Sequence, residues 1–341
     1  MAGSGSGYNV AVVGATGAVG KTFLQIAETH SFPIRSLRLL ASTRSAGSRM
    51  SFRGSEIEVE ETTDRSFRGV DLAFLSATTE ASRHFAPLAV GAGAVAIDDS
   101  SAFRMDANVP LVVPEVNAGD LNREQRLVAI PNCSTTPLVL ALAPLHRVNP
   151  IRRVVVATYQ SVSGTGSAAM NELTDQTKQV LDGGHPEAEV YPHQIAFNLI
   201  PQIDSFLDNG YTREEWKMVQ ETRKIMHEPE LPVSSTCVRV PVYICHSEAV
   251  QVEFQRPMAV EQARELLAQM PGIALDEAGR PQSYHHPVQA AGKDPVYVSR
   301  IRQDASHPNG LALWIVSDNL RKGAALNAIQ IAEAMAERNL I

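Results

Sequence analysis

At 341 residues, 44% hydrophobic and 20% charged, the chain is long enough for two hydrophobic cores and is composed like a folded enzyme, which excludes a disordered or fibrous chain. A formal net charge of −7 and the lack of a clustered Lys/Arg face exclude a nucleic-acid partner. The longest apolar run, Pro137 to Leu145, is about half of a bilayer span, so no membrane segment is expected, and three cysteines without framework spacing point to a reducing compartment, read as the cytoplasm.

The chain opens with "MAGSGSGYNV", which has neither a charged n-region nor an apolar h-region. It is expected to be a flexible tail and not a signal peptide. From Tyr8 the pattern alternates: "YNVAVVGA" reads as a strand, "VGKTFLQIAETH" as a helix and "SLRLLAS" as a strand. Further short β-rich runs follow at "VDLAFLSAT", "AVAIDDSS", "PLVVPEV" and "LVAIPN". Near-continuous apolar strands separated by helices predict a parallel sheet covered on both faces, a doubly wound α/β domain ending near residue 132.

The second half reads differently. After the helix "TPLVLALAPLHRV" come the strand "IRRVVVATYQ", a polar-faced helix "SAAMNELTDQTKQVLDG", and a β-rich block "SSTCVRVPVYICHSEAVQVEFQ". Two more strands, "PVYVSRIRQD" and "LALWIVSDN", predict an α+β domain with a mostly antiparallel or mixed sheet over 133–322. The last segment is amphipathic, with Ala325, Ile329, Ile331, Ala332 and Met335 mostly on one face. It is expected to return to the first domain, making that domain 8–132 plus 323–341.

The first turn, "GATGAVG", places Gly14, Gly17 and Gly20 between a predicted strand and a predicted helix. That spacing lets backbone N–H groups approach a pyrophosphate at a helix N-terminus, so Gly14, Thr16, Gly17, Ala18 and Val19 are cofactor candidates. A glycine-rich turn that binds nothing is the plain alternative. NAD is held by an acid at the end of the second strand, but "ASTRSAG" offers Arg44 and Ser45 instead, which favours NADP. Arg44 is otherwise a solvated loop arginine.

Cys133 in "LVAIPNCSTTPLVLALAPLH" lies where a strand gives way to a helix. A helix N-terminus favours a thiolate, the form that attacks an acyl carbon, although a buried structural thiol fits the same pattern. His246 in "YICHSEAV" is the candidate acid/base, or else a satisfied core histidine. Cys237 and Cys245 read as buried and inert, and no spacing suggests a metal site.

"GATGAVG", "SSAFRM", "PNCSTT", "TYQSVSG", "EEWKMVQET", "VRVPV" and "HSEAV" occur in that order, and together they resemble the aspartate-β-semialdehyde dehydrogenase family, bacterial type. The resemblance runs from about Asn9 to the last helix. It implies a Rossmann-type NADP-binding domain, a catalytic and dimerisation domain, a homodimer, and NADPH-dependent reduction of L-aspartyl 4-phosphate to L-aspartate 4-semialdehyde through a cysteine thioacyl intermediate. It further implies Cys133 as nucleophile, His246 as acid/base and Gln160 as the residue that orients the acyl group. Arg239 would grip the substrate α-carboxylate, Arg104 and Lys217 the phosphate, with Asn132 beside the nucleophile. Glu214 would meet the ammonium, with Glu215 next door as the alternative. Ser163 and Gly164 would border the nicotinamide, and Asn319 would contact the cofactor. An N-acetylglutamyl-phosphate reductase-like enzyme and a catalytically silent relative are the rival expectations.

Arg239 and His246 are seven apart, so a single regular strand would point them to opposite faces. Both can line one site only if the chain breaks between them, and Pro241 is placed to break it.

Overall fold

Strand β1 (Tyr8–Val13) shows in miniature how the first sheet is covered on both sides. Val10 and Val12 join one buried cluster, Ala11 and Val13 another, because successive side chains point to opposite faces. The computed structural model describes residues 7–341, and residues 1–6 of the stretch expected to be a flexible tail lie outside them. The chain divides into two units, Met1–Pro131 with Ala324–Ile341, and Asn132–Gly323.

In the first unit β1 is followed by α1 (Ala18–Thr29), β2 (Ile34–Ala41), β3 (Arg49–Phe52), β4 (Ser55–Glu61) and β5 (Leu72–Leu75). Then come α2 (Thr79–Gly91), β6 (Val95–Asp98), α3 (Pro114–Asn117) and β7 (Leu127–Ala129). The sheet order is β3-β4-β2-β1-β5-β6-β7, parallel throughout except for β3 against β4. Strand order reverses between β1 and β5, the crevice where doubly wound sheets bind ligands. Gly14 sits at that point, and a Cβ there would stand 2.0 Å from the Ser76 carbonyl oxygen. Hairpin β3–β4 was not anticipated, although Arg53 and Gly54, both at positive φ, form the two-residue turn that joins it.

One expected strand is absent. In "PLVVPEV" only Leu111 makes a single bridge, to Ala129, and Pro114 then opens the short helix α3. Proline has no N–H for a ladder and favours a helix start, and the Val113 N–H is taken by Asn117 Oδ1 at 2.9 Å.

The second unit holds α4 (Thr135–Val148), β8 (Ile151–Gln160), α5 (Ser167–Leu181), α6 (Arg213–Ile225), β9 (Val233–Arg239) and β10 (His246–Phe254). It continues with α7 (Val260–Ala268), β11 (Ile273–Leu275), α8 (Pro287–Ala290), β12 (Val296–Gln303) and β13 (Gly310–Ser317). Its sheet, β11-β12-β13-β10-β8-β9, is mixed, with β8–β9 and β11–β12 parallel. Every residue of α4 from Thr135 to Leu145 is buried, as a helix apolar on all sides requires. On the other face Tyr159 and Trp314 pack 5.6 Å apart and stay partly exposed.

The chain then returns to the first unit. Helix α9 (Leu326–Glu337) puts Ala328, Ile329, Ile331, Ala332 and Met335 into the same cluster as Val10, Val12 and Phe23, the return that its apolar face predicted.

Gly20 is the tightest position of the α1 start that is not strained in φ. A Cβ there would meet the Gly14 oxygen at 2.4 Å and Ala15 Cα at 2.7 Å. Gly20→Ala is expected to lower the stability of the first unit by about 1–3 kcal/mol, read as a fall in its urea midpoint. An unchanged midpoint would mean that the turn can open without cost.

Candidate active site

Three strand ends meet in the second unit. β8 lies between β9 and β10, and the register pairs Gln160 with Arg239 and Tyr159 with Ser247. Gln160, Arg239 and His246 therefore form one row across the sheet. The break that the odd spacing demanded is present: β9 stops at Arg239, and residues 240–245 cross the end of β8 before β10 starts at His246. The crossing segment accepts hydrogen bonds from Val162 N to Val242 O (2.9 Å) and Ser163 N to Tyr243 O (3.1 Å). Cys245, at φ +80°, makes the final turn.

One residue holds both functional heads of that row. The Ser161 N–H donates to His246 Nδ1 at 3.0 Å, and the Ser161 carbonyl accepts from Arg239 Nη1 at 2.7 Å. Because Nδ1 accepts, a neutral His246 carries its proton on Nε2. That Nε2 is buried and has no hydrogen-bond partner among the described residues. Burial, then the Arg239 charge, push the His246 pKa down to about 3, against the pull of Glu214. A Cβ on Gly164 would lie 3.2 Å from His246 Nε2 and 3.1 Å from Arg239 Nη1, so glycine lets the backbone pack close against both groups.

Cys133 immediately precedes Ser134, the N-cap residue of α4, and is partly exposed. The first-turn N–H groups of a helix point toward such a position and stabilise a thiolate there. Asn132 shapes the turn, accepting the Ser134 N–H on Oδ1 at 2.9 Å while its own N–H donates to Glu221 Oε2 at 2.6 Å. Cys237 and Cys245 contrast with it: burial pushes both thiols up, which keeps them protonated and unreactive. No disulfide and no metal-ligating cluster is found among the described residues.

Helix α6 brings the acid. Glu214 accepts from Asn132 Nδ2 (2.8 Å) and Gln160 Nε2 (3.3 Å) and pairs with Lys217 (3.3 Å), which also pairs with Asp204 (3.0 Å). Gln160 Nε2 additionally donates to Ser134 Oγ at 2.8 Å. Glu215 is occupied elsewhere. Its carboxylate accepts the Thr212 N–H at 2.7 Å in a capping box and the Cys237 N–H at 3.0 Å, while Glu214 is the one bonded to Asn132 and Gln160. Asn319 Oδ1 is buried against Ser161 Oγ, Ser163 Oγ and the Cys245 N–H at 3.0–3.2 Å, and so braces the His246 turn.

In the first unit Gly14, Thr16, Gly17, Ala18 and Val19 form the turn into α1, whose N-cap Gly17 carries no side-chain cap and whose first turn holds no acid. That arrangement fits a pyrophosphate. Arg44 and Ser45 lie in the exposed turn after β2. The fold also brings Glu61 from β4 to Thr43 Oγ1 at 2.5 Å, a carboxylate that the sequence around Arg44 does not reveal. Arg104 is 7% exposed, far from a solvated surface charge, and its guanidinium donates to the Asp99 carbonyl at 2.8 Å. Ser161 and Glu221 were missed in the sequence, yet Glu221 follows Glu214 by two helical turns within "EEWKMVQET", a spacing that could have found it.

The chain is 49% identical to the aspartate-semialdehyde dehydrogenase of Bacillus subtilis over 345 residues, covering 99% of this chain and 100% of the relative. The chain belongs to the aspartate-semialdehyde dehydrogenase family. The enzyme of that name from Legionella pneumophila is 50% identical over 98% of this chain and 97% of its own length. Residues 9–124 match the semialdehyde dehydrogenase NAD-binding domain model, and residues 142–322 the dimerisation domain model. The solved structure of Vibrio cholerae aspartate semialdehyde dehydrogenase II complexed with ASA superposes with a TM-score of 0.94 at 46% identity, covering 97% of this chain and 99% of that chain. A Candida albicans aspartate semialdehyde dehydrogenase with NADP aligns with a TM-score of 0.76 at 26% identity, covering 98% of this chain and 100% of that chain. No helix among the described residues of this family member is long and apolar enough to cross a membrane.

His246 supplies a pH signature. Its folded pKa, about 3, lies below the ordinary 6.5, so the unfolded chain takes up a proton in that interval that the folded chain refuses. Stability is therefore lost as pH falls below 6.5. His246→Asn is expected to flatten the plot of unfolding free energy against pH between 6.5 and about 4.5 by up to about 1.4 kcal/mol per pH unit. Equal slopes in the two proteins would mean that the folded imidazole is already charged.

Proposed function

We propose that this family member reduces L-aspartyl 4-phosphate to L-aspartate 4-semialdehyde with NADPH, through a thioester on Cys133. The observation that carries the reading is the convergence of Cys133 at the α4 N-terminus with the Gln160, Arg239 and His246 row inside one unit. In the first half of the reaction the Cys133 thiolate attacks the acyl-phosphate carbon, the carbon–oxygen bond to phosphate breaks, and inorganic phosphate leaves. The nicotinamide, when bound, supplies the hydride that reduces the acyl carbon. Collapse of the resulting sulfur adduct frees the aldehyde and regenerates the thiolate.

The chain's own groups divide the remaining work. Gln160, held by Ser134 and Glu214, orients the acyl group. His246 holds its proton at Nε2, where it donates a hydrogen bond to the acyl oxygen as negative charge develops there. Arg239 presents a planar fork to the α-carboxylate. Glu214 faces the α-ammonium, and Arg104 and Lys217 are the cations assigned to phosphate. Ser163 and Gly164 border the nicotinamide, and Asn319 contacts the cofactor from the far end of the chain. The turn from Gly14 to Val19 cradles the pyrophosphate. Arg44 and Ser45 meet the 2′-phosphate, a reading supported by the NADP named with the Candida albicans relative. A second copy of the chain covers the face that carries Tyr159 and Trp314, forming a homodimer. Three cysteines without a disulfide among the described residues agree with the cytoplasm.

Two measurements test this. NADPH formation from L-aspartate semialdehyde, phosphate and NADP⁺ is expected to require phosphate and to fall about 10³-fold or more in Cys133→Ser. An inactive intact protein would favour the silent relative, and an active Cys133→Ser would remove the thioester. Arg44→Ala is expected to raise KM for NADP⁺ about tenfold or more, the worth of a charge-assisted phosphate contact. Its effect with NAD⁺ as substrate should be small. An equal effect on both coenzymes would remove Arg44 from the 2′-phosphate.

A further inference from the structure

The segment between α5 and α6 brings an aromatic ring onto Arg239. The Arg239 guanidinium carbon lies 5.8 Å from the centre of the Tyr191 ring, over its face, and Arg239 itself is 5% exposed. Tyr191 is half-buried, and its hydroxyl donates to Thr165 Oγ1 at 2.9 Å, just after the Ser163 and Gly164 turn. Burial, opposed by the Arg239 charge, raises the Tyr191 pKa, so the ring approaches the cation as a neutral phenol.

This placement is built and not incidental. Two buried side chains of α5 anchor the segment by its backbone. The Glu172 carboxylate accepts N–H groups from Glu189 (3.2 Å), Val190 and Tyr191 (3.5 Å). Gln176 Oε1 accepts from Ile195 (2.9 Å) and Ala196 (3.2 Å), while its Nε2 donates to the Glu187 carbonyl at 3.0 Å. Buried polar side chains spent on a loop backbone fix the position of whatever that loop carries, and here it carries Tyr191.

We propose that Tyr191 is a positioning residue for the substrate carboxylate, acting through Arg239; the inference rests on the reading of Arg239 as the α-carboxylate site. Ser161 O fixes Arg239 Nη1 from one side, and the guanidinium carbon stands over the Tyr191 ring. With the cation held in this way, a carboxylate meeting the remaining edge of the fork in the guanidinium plane can form two parallel hydrogen bonds. The ring also takes water off the cation, which strengthens a charge-assisted bond made in its place.

The test uses the full-length protein and steady-state kinetics with L-aspartate semialdehyde, phosphate and NADP⁺. Tyr191→Phe keeps the ring and is expected to leave KM for the semialdehyde within about twofold. Tyr191→Leu removes the π-face but keeps an apolar side chain against the buried cluster that includes Ala169 and Leu173, which guards against loss of folding. It is expected to raise that KM about tenfold, with kcat and KM for phosphate within about threefold. A general loosening of the site would move all three constants together, and that result overturns the proposal, as does an unchanged KM in Tyr191→Leu or a loss in Tyr191→Phe equal to that in Tyr191→Leu. Arg239→Leu, run in parallel, separates the two levels. If it leaves KM for the semialdehyde unchanged, the carboxylate reading and this inference both fall. If it raises KM and Tyr191→Leu does not, only the inference falls.

Discussion

The second unit depends on what the backbone of Ser161 does at the end of β8. Its N–H and its C=O point to opposite sides of the strand, one to His246 Nδ1 and the other to Arg239 Nη1. That one residue sets the tautomer of the histidine and restrains the arginine fork. The two groups can share a row only because β9 and β10 flank the same strand, one parallel and the other antiparallel, with the chain crossing the strand end between them. Asn319 then locks the crossing by accepting from Ser161, Ser163 and Cys245 with a single buried oxygen.

A second polar centre is set against the first. Glu214 gathers Asn132, Gln160 and Lys217 from three different parts of the chain, and Glu221 of the same helix takes the Asn132 N–H. Burying a carboxylate is costly unless it is fully hydrogen-bonded, so such a centre persists only where its partners are held in place. It ties the turn before Cys133 to the row that contains Gln160. The neighbouring Glu215 is bonded within the α6 cap and to the Cys237 N–H. Two adjacent glutamates thus have separate tasks because successive residues on a helix point about 100° apart.

The Nε2 of His246, without a hydrogen-bond partner among the described residues, and the bare Cα of Gly164 belong together. A buried polar atom without a partner is costly, and here it lies against the bare Cα of an exposed glycine. The strongly lowered basicity of that imidazole keeps it neutral, so it can offer a hydrogen bond at Nε2 without adding a second positive charge beside Arg239.

Much was legible in the chain. The periods of apolar residues determined the alternating strands and helices of the first unit, the fully buried α4 and the returning α9, since those patterns arise from the geometry of the elements alone. The odd spacing of Arg239 and His246 with Pro241 between them demanded a break, and the fold contains one. The β3–β4 hairpin and the true form of "PLVVPEV" escaped because a two-residue turn led by arginine and a proline after three apolar residues are weak local signals. Which glutamate bonds Asn132 and Gln160, what Asn319 bonds, that Arg239 lies over Tyr191 and that Glu61 reaches Thr43 were decided only by tertiary structure. Each depends on partners far apart in the chain, and local pattern contains no information about which distant side chain will complete a buried hydrogen bond.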